Sequence, residues 1–211
     1  MSKLRLRYLK TGKAKYISHL DLMSTMQRAF IRAGIELRYS EGFNPHPYMS
    51  VALPLSVGCE SLCELLDVGI ADDSMTEVKV DTLPEGIEIL DVYKPSRKFS
   101  EITWIEVNCM MHFNRRINKD IEKRLISCFE KDNIIISKKS KRGIKELDIA
   151  PFVKEVKINV DDGIMMKAKI SAQNPTINTT DLESIFDDEL KPEHIEMKRI
   201  DIYDSNMVLF K

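Results

Sequence analysis

The chain has 211 residues and a formal net charge of −1, with 43% hydrophobic and 31% charged residues. That length suits one large domain or two small ones, each with a buried core. No apolar run nears the ~20 residues that span a bilayer, the start Met-Ser-Lys-Leu-Arg lacks a secretory apolar stretch, and near-neutral charge gives no global pull toward nucleic acid; a cytoplasmic protein with no membrane partner is expected.

Leu4, Leu6 and Tyr8 alternate with Lys3, Arg5 and Arg7, the period of a half-buried strand. A basic connection with Lys10, Lys13 and Lys15 follows. Ser18-His-Leu-Asp21 reads as a variant capping box. Leu22, Met26, Ala29, Phe30 and Ala33 then share one helical face, and Gly34 supplies a left-handed stop. Ile35–Tyr39 alternates as a second strand. Ser40-Glu-Gly-Phe-Asn-Pro-His-Pro47 is the densest turn signal, because each proline fixes its own φ and holds the preceding residue extended. Strands are expected at Met49–Leu53, Leu62–Ile70 and Ile87–Tyr93, with a short helix capped by Ser74 and Glu77.

The second half repeats the order. Thr103–Phe113 alternates as a strand, and Asn114 caps a helix with Ile117, Ile121, Leu125 and Cys128 on its face. Ile134–Lys138 is a strand, followed by a basic loop through Lys145. Val156–Val160 and Met165–Ile170 flank Asp161-Asp-Gly163, a hairpin signal. Thr180 with Glu183 caps a helix, and His194–Tyr203 is the last strand. The pattern predicts an α+β chain of two tandem ferredoxin-like (split βαβ) units with extra strands. The expected units are residues 1–94, carrying the motif loops, and 102–211, joined by a linker at 95–101. Charge falls in blocks, +6 over 1–58, −9 over 59–93, +8 over 94–145 and −6 over 146–211, which fits two halves on one plan or ordinary solvated faces.

Two loops carry the candidate chemistry. Pairing Leu4–Tyr8 and Met49–Leu53 in one sheet is expected to bring them to a single recess. Its binding candidates are Lys13, Lys15, Ser18, His19, Asp21, Glu41, Asn44 and His46. A helix start beside lysines suits an anion. His19 and His46, with Tyr16, are the catalytic candidates for metal-independent RNA cleavage, one ring as base and one as acid. His19, Asp21 and His46 are also ligand types for a metal, but their spacing is unspecific and no metal or other cofactor is assigned. Cys59 and Cys63 lack the further thiolates of an iron–sulfur cluster, and no P-loop, zinc ribbon or dinucleotide fingerprint is present. Lys138–Lys145 is a candidate backbone-phosphate contact, set against a loop kept soluble by its charge.

Tyr16-Ile-Ser-His-Leu-Asp-Leu22, Tyr39–Pro47 and Leu53-Pro-Leu-Ser-Val-Gly58 together resemble a radical SAM-associated bacterial family, a domain of unknown function that also forms the C-terminal part of radical SAM-linked proteins. The resemblance covers nearly the whole chain. It implies a radical SAM partner carrying the cluster this chain lacks, and no catalytic residue comes with it. The reading is a non-catalytic accessory module that binds this partner and an RNA or other anionic substrate. The alternative is an endoribonuclease-like enzyme using His19 and His46.

Overall fold

The computed structural model describes residues 3–72, 79–115, 117–140, 143–160 and 163–211. The chain is α+β and divides into two compact units, residues 1–101 with Lys211 and residues 102–210.

The first unit runs β1 (Lys3–Lys10), a 3-10 turn (Gly12–Tyr16), α1 (His19–Arg32), β2 (Met49–Val51), β3 (Glu60–Gly69) and β4 (Ile87–Tyr93). Its strands lie in the order β4-β1-β3-β2 with antiparallel neighbours. Alternation in β1 sends Leu4, Leu6 and Tyr8 to one face, where Leu22, Met26 and Phe30 of α1 cover them with Leu66 and Val68 of β3. The helix starts at Ser18, whose Oγ accepts from Asp21 N at 3.2 Å and donates to the Asp21 carboxylate at 2.7 Å. Gly34 ends it at φ 73°, with Gly34 N on Ile31 O and Ile35 N on Phe30 O, the paired bonds of a Schellman motif.

The second unit runs β5 (Ile102–His112), α2 (Lys119–Ser127), β6 (Ile135–Ser140), β7 (Gly143–Asp148), β8 (Val153–Asn159), β9 (Ile164–Ser171), α3 (Thr179–Glu183) and β10 (His194–Asp204). Its strand order is β10-β5-β9-β8, again with antiparallel neighbours, and β6–β7 form a separate hairpin. Ile105, Val107, Cys109 and Met111 of β5 are buried with Ile164, Met166, Ala168 and Ile170 of β9, the positions directly opposite them.

Several expectations are corrected. Ile35–Tyr39 is no strand but makes two isolated bridges, Leu37 with Ile70 and Tyr39 with Pro47. Its backbone lies along the end of β3, through Ala71 N on Glu36 O and Arg38 N on Gly69 O, before the chain leaves the sheet. Asn118, not Asn114, caps α2, accepting from Asp120 N and Ile121 N. Asp120 and Glu122 then lie in the positive first turn, whereas Asn114 is followed by arginines. Asn178 with Asp181 forms the capping box of α3, in place of Thr180 with Glu183. Of the expected basic loop, Lys138–Ser140 and Gly143–Lys145 are paired strand positions of the β6–β7 hairpin. The 95–101 stretch is grouped with the first unit. Arg5 Nη2 donates to Arg97 O at 2.9 Å and its guanidinium lies 4.2 Å over the Phe99 ring. The expected Ser74–Glu77 cap and the Asp161–Asp162 turn lie outside the described residues.

Gly86 adopts φ 87°, and its carbonyl accepts from Thr11 N at 2.8 Å. A Cβ there would stand 2.2 Å from Thr11 O, a backbone atom. Gly86→Ala is expected to lower unfolding free energy by about 1–3 kcal/mol, through strain and a displaced 11–16 turn. A urea midpoint unchanged from the parent chain would show that the turn yields freely.

Candidate functional site

Lys10 ends β1, buried, and its Nζ donates to Ile17 O at 2.7 Å. Burial holds its ammonium below the usual lysine range, and the Glu64 carboxylate partly opposes that shift. This one bond fastens the segment leading into α1 onto the sheet. Gly12 N adds a bond to Glu60 Oε1 at 2.9 Å, and Gly58 N donates to Lys15 O at 2.9 Å. The segment carrying Lys13, Lys15, Tyr16, Ser18, His19 and Asp21 is thereby tied to the 53–60 loop.

The 40–47 loop is anchored elsewhere. Tyr48 N donates to Arg38 O, and Gly69 N donates to Tyr48 O, so residues 39–48 form an excursion from the line of β2 beside Gly69. Ser40 and His46 close it twice: Ser40 N on His46 O at 2.8 Å and His46 N on Ser40 Oγ at 3.0 Å. Glu41, Asn44 and His46 are exposed on this excursion, and Phe43 is fully exposed near its tip.

The single recess is corrected by strand register. β1 ends at Lys10, opposite Ser61, whereas the excursion is anchored beside Gly69, which is opposite Lys3. Eight residues of β3 separate those levels, about 27 Å of strand. Both β1 and β2 run antiparallel to β3, so the turn after one and the loop before the other are rooted at opposite ends. Among the described residues no hydrogen bond or ion pair joins Lys13–Asp21 to Glu41–His46. Nor do any three His, Cys, Asp or Glu side chains there form a group suited to a metal ion.

What the register does bring together is the first motif and the third. Tyr16 (65% exposed), Leu20 (76%) and Val57 (59%) stand on joined segments, beside Lys13 and Lys15. Leu20 and Val57 were missed as candidates, because attention to ionisable side chains passes over them. Their signal was in the sequence: Leu20 lies off the apolar stripe Leu22–Met26–Phe30, so a helix there must present it to solvent. In the second unit, Lys138 is committed, with Nζ donating to Thr176 O at 2.6 Å and to Asp181 Oδ2 at 2.5 Å.

Residues 3–181 match a family model described as an uncharacterized protein conserved in bacteria, DUF2344. No curated protein matches the sequence. That description names no reaction, so the chemistry has to be read from the side chains.

All four cysteines are reduced and buried. Burial pushes the Cys128 thiol up, and its Sγ donates to Arg124 O at 3.3 Å. A buried, protonated thiol is a poor nucleophile. An aromatic disulfide reagent at pH 8 is therefore expected to leave the folded chain unlabelled over minutes and to titrate four thiols in denaturant. Rapid labelling of a native thiol would contradict this packing.

Proposed function

The chain belongs to the bacterial family DUF2344, and we propose, from its exposed surface and sequence motifs, a non-catalytic accessory module that docks onto a radical SAM enzyme and helps present an RNA or other anionic substrate. One observation carries the docking reading: Tyr16, Leu20 and Val57 are exposed on segments held rigid by Lys10, Glu60 and Gly58. Large apolar side chains fixed in water cost free energy unless a partner covers them, and such clusters mark protein contacts. Lys13 and Lys15 at the rim favour an acidic counterpart and steer its approach. The partner's identity rests on the sequence motifs Tyr16–Leu22, Tyr39–Pro47 and Leu53–Gly58.

Both units are read here as ferredoxin-like. Each begins strand, helix, and each places its first strand between its last and its second-last, the order that a split βαβ plan produces. RNA cleavage by His19 with His46 would need both rings on one phosphate. No contact favours that arrangement, and docking is the reading retained.

The test mixes the chain with the radical SAM enzyme of the same organism at micromolar concentration and follows co-elution by size exclusion. The parent chain is expected to co-elute. Leu20→Glu with Val57→Glu is expected to weaken the complex at least tenfold with an unchanged urea midpoint, since both sites are exposed. Ile135→Glu, at an exposed position of β6, should have no effect. Failure of the parent chain to bind, or equal binding by the double variant, would overturn the proposal.

A further inference from the structure

The sheet of residues 102–210 has two unlike faces. One is buried with Leu125 of α2 and Leu182 of α3 through the apolar positions of β5, β9 and β10. Strand alternation turns the intervening positions to the other face. There the register aligns Lys198 of β10, Asn108 of β5, Lys167 of β9 and Lys157 of β8 in one row across all four strands. Neighbouring strands are about 4.8 Å apart, so the row spans about 14 Å.

Lys157 and Lys167 are directly opposite each other, both exposed. Like charges in that position repel, which is a cost to the sheet. Lys198 has a partner of its own, whereas two carboxylates near Lys157 and Lys167 are bonded to other groups. Glu155 takes Lys169 at 2.9 Å, Glu106 accepts from Tyr203 Oη at 2.7 Å, and Glu196 lies 3.9 Å from His112 Nε2. Between the lysines, Asn108 Oδ1 is buried and accepts no hydrogen bond. The next row carries Met110 and Met165. Beyond it, at the end of the strands, opens a cavity of about 490 Å³ lined by Met110, His112, Phe113, Arg115 and Gly163 together with Met111 and Ile164 of the buried face. Arg115 lies 5.9 Å over the Phe113 ring at that cavity.

We infer that this face binds a single-stranded nucleic acid, with backbone phosphates on Lys157 and Lys167 and a base in the Met110–Phe113–Arg115 cavity. Lysines spaced along a line suit a string of phosphates. The thioethers and Phe113 offer an apolar seat for a base. A duplex keeps its bases paired and has none to offer the cavity. This inference rests on the RNA limb of the proposed function and is independent of the docking limb.

The probe is a fluorescein-labelled twelve-nucleotide single strand, as RNA and as DNA, read by anisotropy from low to physiological salt. The parent chain is expected to bind at least one of them more tightly than the matching duplex. Lys157→Gln with Lys167→Gln is expected to weaken binding at least tenfold and to reduce the salt slope by about 1.4, two phosphate contacts' worth. Phe113→Ala should weaken binding with the salt slope unchanged. Lys13→Gln with Lys15→Gln, in the other unit, is the control. Loss in that control but not in the 157/167 variant would overturn this site while keeping an RNA-binding role. No binding by the parent chain, or preference for duplex, would overturn the inference outright; a docking complex that still forms would leave the accessory reading standing.

Discussion

The antiparallel register of β3 against β1 is the constraint from which the first unit's surface follows. It is pinned by Arg5, buried in β1, which places Nε on Asp67 Oδ1 at 2.7 Å and Nη2 on Oδ2 at 3.0 Å. Arg5 and Asp67 are also direct register partners. A one-residue slip would turn both side chains to the wrong face and expose Leu4, Leu6 and Tyr8. It would also strand a buried guanidinium, and breaking such a pair costs about 3–5 kcal/mol. The same guanidinium holds Arg97 O and stacks on Phe99, so the strand that fixes the sheet also fixes the 95–101 stretch.

From that register the placement of the motifs follows without further assumption. The segment entering α1 leaves the Lys10 end, and the 39–48 excursion leaves beside Gly69. Polar groups then hold each one rigid. Lys10 satisfies Ile17 O in a buried setting where an unpaired carbonyl would be costly. Ser40 and His46 satisfy each other within the excursion. Each rigid backbone segment carries exposed apolar tips, Tyr16, Leu20 and Val57 on one segment pair and Phe43 on the excursion.

The second unit uses the same strand order to a different end. Its α2 is short, from Lys119 to Ser127, and its features gather on the strands rather than at the helix start. Residues 146–211 carry a net −6, yet the pleat sorts Lys157, Lys167 and Lys198 onto one line of the sheet. Net charge of a segment and charge of a face are therefore separate quantities.

The sequence by itself determined most elements, because their signals are local. Alternation at Leu4–Leu6–Tyr8, the Ser18 cap and the Gly34 stop each act within a few residues. Even the misplaced caps of α2 and α3 were readable, since Asp120, Glu122 and Asp181 sit where a positive helix end wants them. Only the tertiary structure decided which motifs meet. Alternation says that a residue faces in or out, but not which residue of another strand stands opposite. That depends on register, a long-range choice made by Arg5 on Asp67 and by the packing of α1 over β1 and β3. It is why His19 and His46 are rooted at opposite ends of a sheet, while Tyr16 and Val57, some forty residues apart, share a surface.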